Sequence, residues 1–194
     1  MKKKNYPCVA YFEEEIEKEF RKLQDEMYKL TGSKACLNEW NPHITVGKDL
    51  ELDSIGLLNL TKELNSFAKT QSHFEIELKD FGFMNNKIIA KLYNCEPYVI
   101  YIDVIVNKDL LLFVEKLNKI LEKYKYKYDI FPYKPHLTLA FKDLNKEGFE
   151  KAKEYLKNKK FYKLIKINSF SLATDKENNG QFKEKIKFDF GKLL

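Results

Sequence analysis

Apolar residues are spaced along the first part of the chain in two ways, one typical of strands and one typical of helices. Residues 8–12 form a short apolar run, which predicts a strand. Residues 16–30 then place an apolar side chain every three or four positions, which predicts an amphipathic helix that ends at Gly32. After a polar loop, residues 43–46 predict a second strand and residues 57–67 a second helix.

The middle of the chain predicts two more strands and then a return to the opening order. Residues 74–83 and 87–93 are strand-like runs, and the Asn-Asn pair at 85–86 between them predicts a hairpin turn. Residues 99–106 again predict a strand, and residues 110–124 again carry the apolar face of a helix. The order of elements therefore begins a second time.

The rest of the chain completes this second round. Residues 136–139 predict a strand, residues 149–156 a helix, and residues 162–173 and 182–190 two strand-rich segments. The two Pro-His-x-Thr motifs have their histidines at positions 43 and 136, which are 93 residues apart, and the strands before them keep the same offset. A unit of this length is too long for a solenoid repeat, so a duplicated α+β unit is the better interpretation.

The duplication predicts an α+β fold with two pseudo-symmetric lobes, each with an antiparallel sheet and helices, and an active-site cleft between the lobes. Both lobes would form a single bilobal domain over residues 1–194, with the first lobe over about residues 1–96 and the second over about residues 97–194. Equivalent positions of the two lobes would then face each other across the cleft.

Each motif places a histidine and a threonine on the same side of a strand. Because side chains alternate along a strand, His43 and Thr45 share one face, and the aliphatic residues that follow them share the other. His136 and Thr138 repeat this arrangement in the second motif. The aliphatic faces indicate core, and the histidine–threonine faces indicate the lining of a polar site.

Two imidazoles and two hydroxyls at one site suit in-line attack on a phosphodiester. A neutral imidazole can take a proton from the attacking water while a protonated imidazole gives one to the departing oxygen, and an ordinary pKa near ~6.5 makes both states accessible. Threonine hydroxyls can donate to the non-bridging oxygens. We therefore predict His43 and His136 as catalytic residues and Thr45 and Thr138 as phosphate-binding residues, with no metal and no cofactor.

Composition narrows the groups that can bind phosphate. The formal net charge of +6 favours anionic ligands weakly, and Arg21 is the single arginine among 35 basic residues. The two-pronged grip of guanidinium on phosphate is therefore almost unavailable.

The cysteines lack the spacing of a disulfide framework or of a zinc site; they are Cys8, Cys36 and Cys95. Since no run of residues suits a signal peptide or a membrane span, we expect a cytoplasmic protein with no membrane partner. We also expect a monomer.

The two motifs resemble those of a known family. Residues 41–47, Asn-Pro-His-Ile-Thr-Val-Gly, and residues 134–140, Lys-Pro-His-Leu-Thr-Leu-Ala, are similar to the paired His-x-Thr-x motifs of the 2H phosphoesterase superfamily, which includes bacterial 2′-5′ RNA ligase and cyclic phosphodiesterase proteins. Residues 78–93, with Phe-Gly-Phe at 81–83, are also similar to that family. The resemblance implies metal-free hydrolysis of 2′,3′-cyclic or related cyclic phosphodiesters, or of 2′-5′ linkages, in nucleotides or RNA ends, at a site between two lobes.

The resemblance also draws attention to residues around the motifs. Family members often carry an arginine or an aromatic residue just after the motif, and Lys48 and Phe141 hold those positions here. Lys134, two residues before the second histidine, is a candidate substitute for that arginine. Trp40 and Tyr133 precede the motifs, where each could stack on a base or pack within the protein. The candidate substrate contacts are therefore Trp40, Lys48, Tyr133 and Lys134.

Two other features have a structural and a functional interpretation. His73 lacks a threonine two positions later and lies on the polar face of its strand, so we expect it at the surface. The lysine- and tyrosine-rich residues 123–134 resemble a surface that guides RNA, although such a pattern also describes a solvated strand edge.

Two alternatives to a phosphoesterase remain open. The chain could be a nucleotide- or RNA-binding module on the same fold with little turnover. The missing arginine favours this alternative. The retention of both histidines and both threonines argues against it. A two-histidine metal site ranks last, because no Asp, Glu or Cys lies at ligand spacing in either motif.

Overall fold

The computed structural model describes residues 3–128, 133–175 and 180–191, and within these ranges it leaves the side chains at 89, 92, 93, 127 and 128 undescribed. The strands are β1 (Lys4–Tyr11), β2 (His43–Leu52), β3 (Phe74–Asn85), β4 (Glu96–Ile105), β5 (Tyr126–Tyr128), β6 (His136–Lys142), β7 (Tyr162–Ile167), β8 (Ser169–Asp175) and β9 (Phe182–Asp189). The helices are α1 (Glu14–Thr31), α2 (Ala35–Glu39), α3 (Ser54–Lys69), α4 (Lys87–Tyr93), α5 (Lys108–Leu121) and α6 (Lys146–Leu156). The fold is α+β, as the sequence predicts.

The strands form one antiparallel sheet that brings the two histidine motifs together. Its order is β7-β3-β4-β6-β2-β1-β8-β9, with β5 beside β2. The two strands that begin with the motif histidines, β2 and β6, are neighbours at the centre of this order, and Ile44 pairs with Leu137 between them. We call this meeting point the β2–β6 junction.

Strand pairing crosses the lobe boundary predicted near residue 96. Outward from the junction, β2 is followed by β1, β8 and β9, while β6 is followed by β4, β3 and β7. β3 precedes the boundary in sequence but pairs with β4 and β7, and β8 follows the boundary but pairs with β1. Each half of the sheet therefore contains strands from both halves of the chain, and the division into two lobes stays a prediction.

Helices α1 and α5 pack on the face of the sheet that forms the core. α1 contacts β6 and α5 contacts β2, so each helix supports a different motif strand. α1 buries Phe20 and Met27 and ends at Gly32, whose φ of 80° is a left-handed conformation that glycine adopts without strain. The Asn107 side chain caps α5 by accepting a hydrogen bond from the N–H of Leu110 at 2.9 Å. In the described part of the chain, no helix combines the length and the apolar character needed to cross a membrane.

The strand prediction for residues 87–93 is wrong, because these residues form helix α4. β3 continues to Asn85 and takes β4 as its antiparallel partner, so the Asn-Asn pair at 85–86 does not close a hairpin between two strands. The N–H of Asn86 instead donates to the carbonyl of Pro97 at 2.7 Å. A run of seven residues is too short for apolar spacing to separate strand from helix. The predicted polar loop before His43 likewise contains the short helix α2.

Candidate active site

The four polar side chains of the motifs lie on one face of the sheet at the β2–β6 junction. Because β2 and β6 are antiparallel around the Ile44–Leu137 pair, each motif histidine lies opposite the threonine of the other motif. Side chains opposed in this way have Cβ atoms roughly 4.5–5.5 Å apart. Ile44 and Leu137 point to the other face and are buried in the core. The residues that share the polar face are His43, Thr45, His136 and Thr138.

Both imidazoles are held by the same kind of hydrogen bond. Nδ1 of His43 lies 2.8 Å from the carbonyl oxygen of Asn41, and Nδ1 of His136 lies 2.9 Å from the carbonyl oxygen of Lys134. A carbonyl only accepts, so each Nδ1 carries the hydrogen and Nε2 of each neutral ring is the proton acceptor. Nowhere in the described ranges do three His, Cys, Asp or Glu side chains gather where they could hold a metal ion.

The surroundings favour the neutral form of both imidazoles. Burial is the largest cause that lowers the pKa of His43, which falls to about 4; charges on His136 and Arg21 also lower it, and the backbone hydrogen bond raises it. Burial is again the largest cause that lowers the pKa of His136; the Lys134 charge also lowers it, while its backbone hydrogen bond and the Asp103 carboxylate raise it.

Two buried amides support the motif strands from the core side. Gln24 in α1 donates from Nε2 to the carbonyl of Thr138 at 3.0 Å, and Asn118 in α5 donates from Nδ2 to the carbonyl of Val46 at 3.3 Å. Both side chains are buried, where an unmade hydrogen bond is costly. Each amide therefore fixes the backbone of the strand against which its helix packs. The sequence alone did not reveal this role.

The segment that leads into His43 is tied to the far end of β6. Asp143, just beyond β6, accepts a hydrogen bond from the hydroxyl of Ser33 at 2.7 Å. Lys142, the last residue of β6, donates to both carboxylate oxygens of Glu39 at 2.6 and 2.7 Å. Because β6 begins with the second motif histidine, one continuous strand carries that histidine and anchors the approach to the first.

Aromatic rings surround His43. The Trp40 ring stacks on Phe182 with a centroid distance of 4.3 Å and an interplanar angle of 3°, and it lies 4.6 Å from the ring centre of His43. Tyr11, opposite His43 on β1, places its ring centre 6.0 Å from the imidazole. Trp40 is thus at the site and packed against other rings, and its stacking on a base stays a prediction.

A tyrosine and a lysine flank His136. The Lys134 ammonium donates to the Tyr101 hydroxyl at 2.7 Å, and the Tyr101 ring centre lies 5.1 Å from that of His136. Tyr101 is also opposite Thr138. A Cβ at Gly82 would lie 2.2 Å from atoms of the Tyr101 ring, so the ring occupies space that only a glycine leaves. Local spacing in the sequence does not single out Tyr101, although the Phe-Gly-Phe sequence at 81–83 is a signal for a ring packed at the glycine.

Two candidate substrate contacts are engaged within the protein. Lys48 is 1% exposed, and its Nζ lies 4.0 Å from the ring centre of Tyr126. Tyr133 donates its hydroxyl to the carbonyl of Thr45 at 3.1 Å, and burial raises the pKa of this tyrosine. Both therefore have packing contacts, and contact with substrate stays a prediction for each. His73 is exposed, as expected.

The lysine- and tyrosine-rich stretch is partly paired with carboxylates. The ammonium of Lys123 lies 2.7 Å from the carboxylate of Glu63, and that of Lys125 lies 2.5 Å from the carboxylate of Glu51. Residues 129–132 of this stretch lie outside the described residues. The ion pairs are typical of a solvated edge, and guidance of RNA by this stretch stays a prediction.

Comparison with known sequences gives one family for most of the chain. Residues 12–179 match the family model described as the 2′-5′ RNA ligase superfamily. The matched range contains both histidine motifs and Tyr101. A comparison with curated protein sequences finds no match.

Solved structures with a similar fold cover almost the whole chain. The protein TT0787 of Thermus thermophilus has a TM-score of 0.69 at 16% identity, covering 97% of this chain and 100% of that one. E. coli LigT complexed with 3′-AMP has a TM-score of 0.65 at 13% identity, covering 98% and 100%. A crystal structure described as a phosphoesterase has a TM-score of 0.62 at 14% identity, covering 98% and 100%. At these identities the likeness shows the shared fold.

Proposed function

Because the chain belongs to the 2′-5′ RNA ligase superfamily, we propose that it is a metal-independent phosphoesterase that uses His43 and His136 as an acid–base pair. Its substrates are 2′,3′-cyclic or related cyclic phosphodiesters, or 2′-5′ linkages, in nucleotides or at RNA ends. The observation that carries this proposal is the matched pair of Nδ1–carbonyl hydrogen bonds, which leaves an Nε2 atom of each motif for proton transfer.

The reaction needs one imidazole in each protonation state. The neutral imidazole takes a proton from water as the water oxygen attacks phosphorus, and the protonated imidazole gives its proton to the ribose oxygen whose bond to phosphorus breaks. A cyclic phosphodiester and water thereby become a phosphomonoester with a free hydroxyl. Thr45 and Thr138 donate their hydroxyl hydrogens to the non-bridging oxygens, where negative charge must be held during the transfer.

Positive charge near the phosphate comes from Lys134. Its ammonium, held on the Tyr101 hydroxyl beside His136, takes the place of the arginine that family members often carry after the motif. Binding of the anionic phosphodiester also raises the pKa of both imidazoles, because a nearby negative charge favours their protonated form. The negative charge of the substrate thus favours the protonated form that one histidine must have.

A nucleotide is the substrate class that we favour. E. coli LigT, which shares the fold, has been crystallised with 3′-AMP. The Trp40 ring, stacked on Phe182, lies 4.6 Å from the ring centre of His43, so this aromatic pair is the nearest partner we propose for a base attached to a ribose at the phosphate site. On this proposal a cyclic nucleotide places its phosphate between the histidines and its base on the Trp40 side.

A panel of substrates in the presence of EDTA tests the proposal. The panel contains 2′,3′-cyclic nucleotides, 2′-5′ dinucleotides and RNA with a cyclic phosphate end, and each is incubated with the wild type, with His43→Ala and with His136→Ala. We expect hydrolysis of at least one class by the wild type and loss of it in both variants. Activity that EDTA abolishes and a divalent ion restores would support the metal alternative instead.

A binding module with little turnover is the second candidate. The lowered pKa of both imidazoles favours it, because burial stabilises the neutral form of each ring in the free protein, whereas the reaction needs one ring protonated. Calorimetry with a cyclic nucleotide separates the two candidates. Tight binding with no product after long incubation would support the binding module, whereas binding followed by hydrolysis would support the enzyme.

A further inference from the structure

The single arginine of the chain contacts the segment that leads into His43. Nη1 of Arg21 donates to the carbonyl oxygens of Cys36 and Leu37 at 3.3 and 3.2 Å, and Nη2 donates to Oδ1 of Asn41 at 2.5 Å. Cys36 and Leu37 lie in helix α2, so one guanidinium joins α1, α2 and the turn before β2. The three hydrogen bonds of the guanidinium therefore all go to residues that precede the start of β2.

Asn41 connects this guanidinium to the imidazole. The Asn41 side chain accepts from Arg21, and the Asn41 carbonyl accepts from Nδ1 of His43 at 2.8 Å. Asn41 therefore links Arg21, through its side chain, to Nδ1 of His43, through its carbonyl. A lysine cannot reproduce the contact, because one ammonium does not present the rigid, planar set of donors that spans three acceptors.

Arg21 is not placed as a phosphate ligand. Nη1 and Nη2 are used by protein oxygens, and Nε lies 3.8 Å from the carboxylate of Glu17. Three of the five guanidinium hydrogens are directed at these oxygens, so a phosphate that used Nη1 would have to displace a protein oxygen. The contacts of Arg21 are therefore with backbone and side-chain oxygens of the protein itself.

We infer that Arg21 is a positioning residue for His43, acting through Asn41 to keep Nδ1 as the hydrogen donor and Nε2 directed at the substrate. The catalytic consequence rests on the proposed function, while the effect on the imidazole itself does not. The second motif provides an internal reference, because the carbonyl that holds His136 belongs to Lys134, whose side chain is tied to Tyr101.

The test is the tautomer of each histidine in Arg21→Lys, measured by nitrogen NMR of the imidazoles in the protein without substrate. Arg21→Lys keeps the positive charge and removes the planar donor set. We expect His43 to change from one tautomer to a mixture while His136 stays as in the wild type. Asn41→Ala, which removes the acceptor of the guanidinium, should give the same change, and combining the two variants should add little. Lys18→Ala, in an exposed ion pair on the same helix, is the matched control and should change neither ring.

Turnover of a cyclic nucleotide gives the second readout. We expect kcat of Arg21→Lys to fall by a factor on the order of 10 to 10², as small misplacements of catalytic groups do, with KM changed less than about twofold. A large rise in KM with kcat unchanged would overturn the inference in favour of a phosphate ligand. An unchanged His43 tautomer, or equal changes at His136, would also overturn it. If the wild type turned over none of the panel, the proposed function would fail while the tautomer change still decided the role of Arg21.

Discussion

The two histidine motifs share one backbone arrangement and have different neighbours. In each motif, the carbonyl two residues before the histidine accepts the Nδ1 hydrogen. That carbonyl belongs to Asn41 in the first motif and to Lys134 in the second. The Asn41 side chain is tied to Arg21, whereas the Lys134 side chain is tied to Tyr101. The anchoring carbonyl is therefore at the same position in both motifs. The residue that carries it, and the partner of that residue's side chain, are different.

The neighbours make the two sides of the site electrically different. Trp40 and Tyr11 place aromatic rings around His43. His136 has two charged neighbours instead: the Lys134 ammonium lowers its pKa, and the Asp103 carboxylate, which lies opposite His136, raises it. A duplicated motif can thus repeat the geometry of a site while its surroundings separate the properties of the two imidazoles. This difference leads us to expect distinct roles for the two histidines with any one substrate.

The largest expected effect is the loss of either histidine. His43→Ala and His136→Ala should each lower kcat by a factor on the order of 10² to 10⁴, because each removes one of two required proton transfers. The double variant should lose much less than the product of the two losses, since residues that act as a unit are not additive. Steady-state rates on one cyclic nucleotide measure all three. Multiplicative losses would show that the two histidines act independently.

The pH dependence should show which protonation states the pair needs. As pH falls the base becomes protonated, and as pH rises the acid loses its proton, so kcat/KM should follow a bell. Because both pKa values are lowered from the ordinary value of 6.5 in the free protein, the maximum of kcat/KM should lie below that value. On the proposed mechanism a bound phosphodiester should raise both pKa values, so the maximum of kcat should lie at higher pH.

Profiles over roughly pH 4 to 9 provide the measurement, and their limbs belong to the coupled pair. A rate that rises steadily across this range would contradict the acid–base pair. Each single histidine variant with residual activity should distort one limb more than the other, which would sharpen the difference between the two motifs.

A smaller effect is expected from filling the space under Tyr101. Gly82→Ala would put a Cβ 2.2 Å from the Tyr101 ring, so the ring must move. The Tyr101 hydroxyl, which accepts the hydrogen bond from Lys134, would move with it. We expect the free energy of unfolding to fall by about 1–3 kcal/mol and kcat/KM to fall with it. Chemical denaturation and steady-state kinetics measure these changes. Gly56→Ala, where the nearest atoms are 3.4 Å away, is the matched control and should leave activity unchanged.

The smallest effect is expected at Lys48. Lys48→Met keeps the buried aliphatic chain and removes the ammonium over Tyr126, which should lower the free energy of unfolding by roughly 0.5–2 kcal/mol. KM should not change, because a side chain that is 1% exposed reaches substrate only by moving. A KM raised severalfold would instead establish Lys48 as a substrate contact and add a cation to the His43 side.

The parts of this site that the sequence predicted depend on local spacing. Alternation along a strand is sufficient to place His43 beside Thr45 on one face, and apolar periodicity is sufficient to locate α1 and α5. The 93-residue offset between the motifs indicated that they belong together, and the sheet places them side by side.

The parts that the sequence did not predict depend on contacts between distant segments. Nothing in local spacing connects Arg21 to Asn41 or Tyr101 to Lys134, because each contact exists only after the sheet and helices have packed. The same limit explains the wrong strand over residues 87–93. β3 pairs with β4, and the short apolar run at 87–93 could not reveal that choice of partner.

The location of inorganic phosphate in a crystal of this protein tests most directly whether the two motifs form one site. We expect a single phosphate between Nε2 of His43 and Nε2 of His136, with the hydroxyls of Thr45 and Thr138 donating to its oxygens. Each Nδ1 should remain bonded to the carbonyl two residues before it. Phosphate bound away from both histidines, or imidazoles that present Nδ1 instead of Nε2 to the anion, would contradict a shared acid–base site.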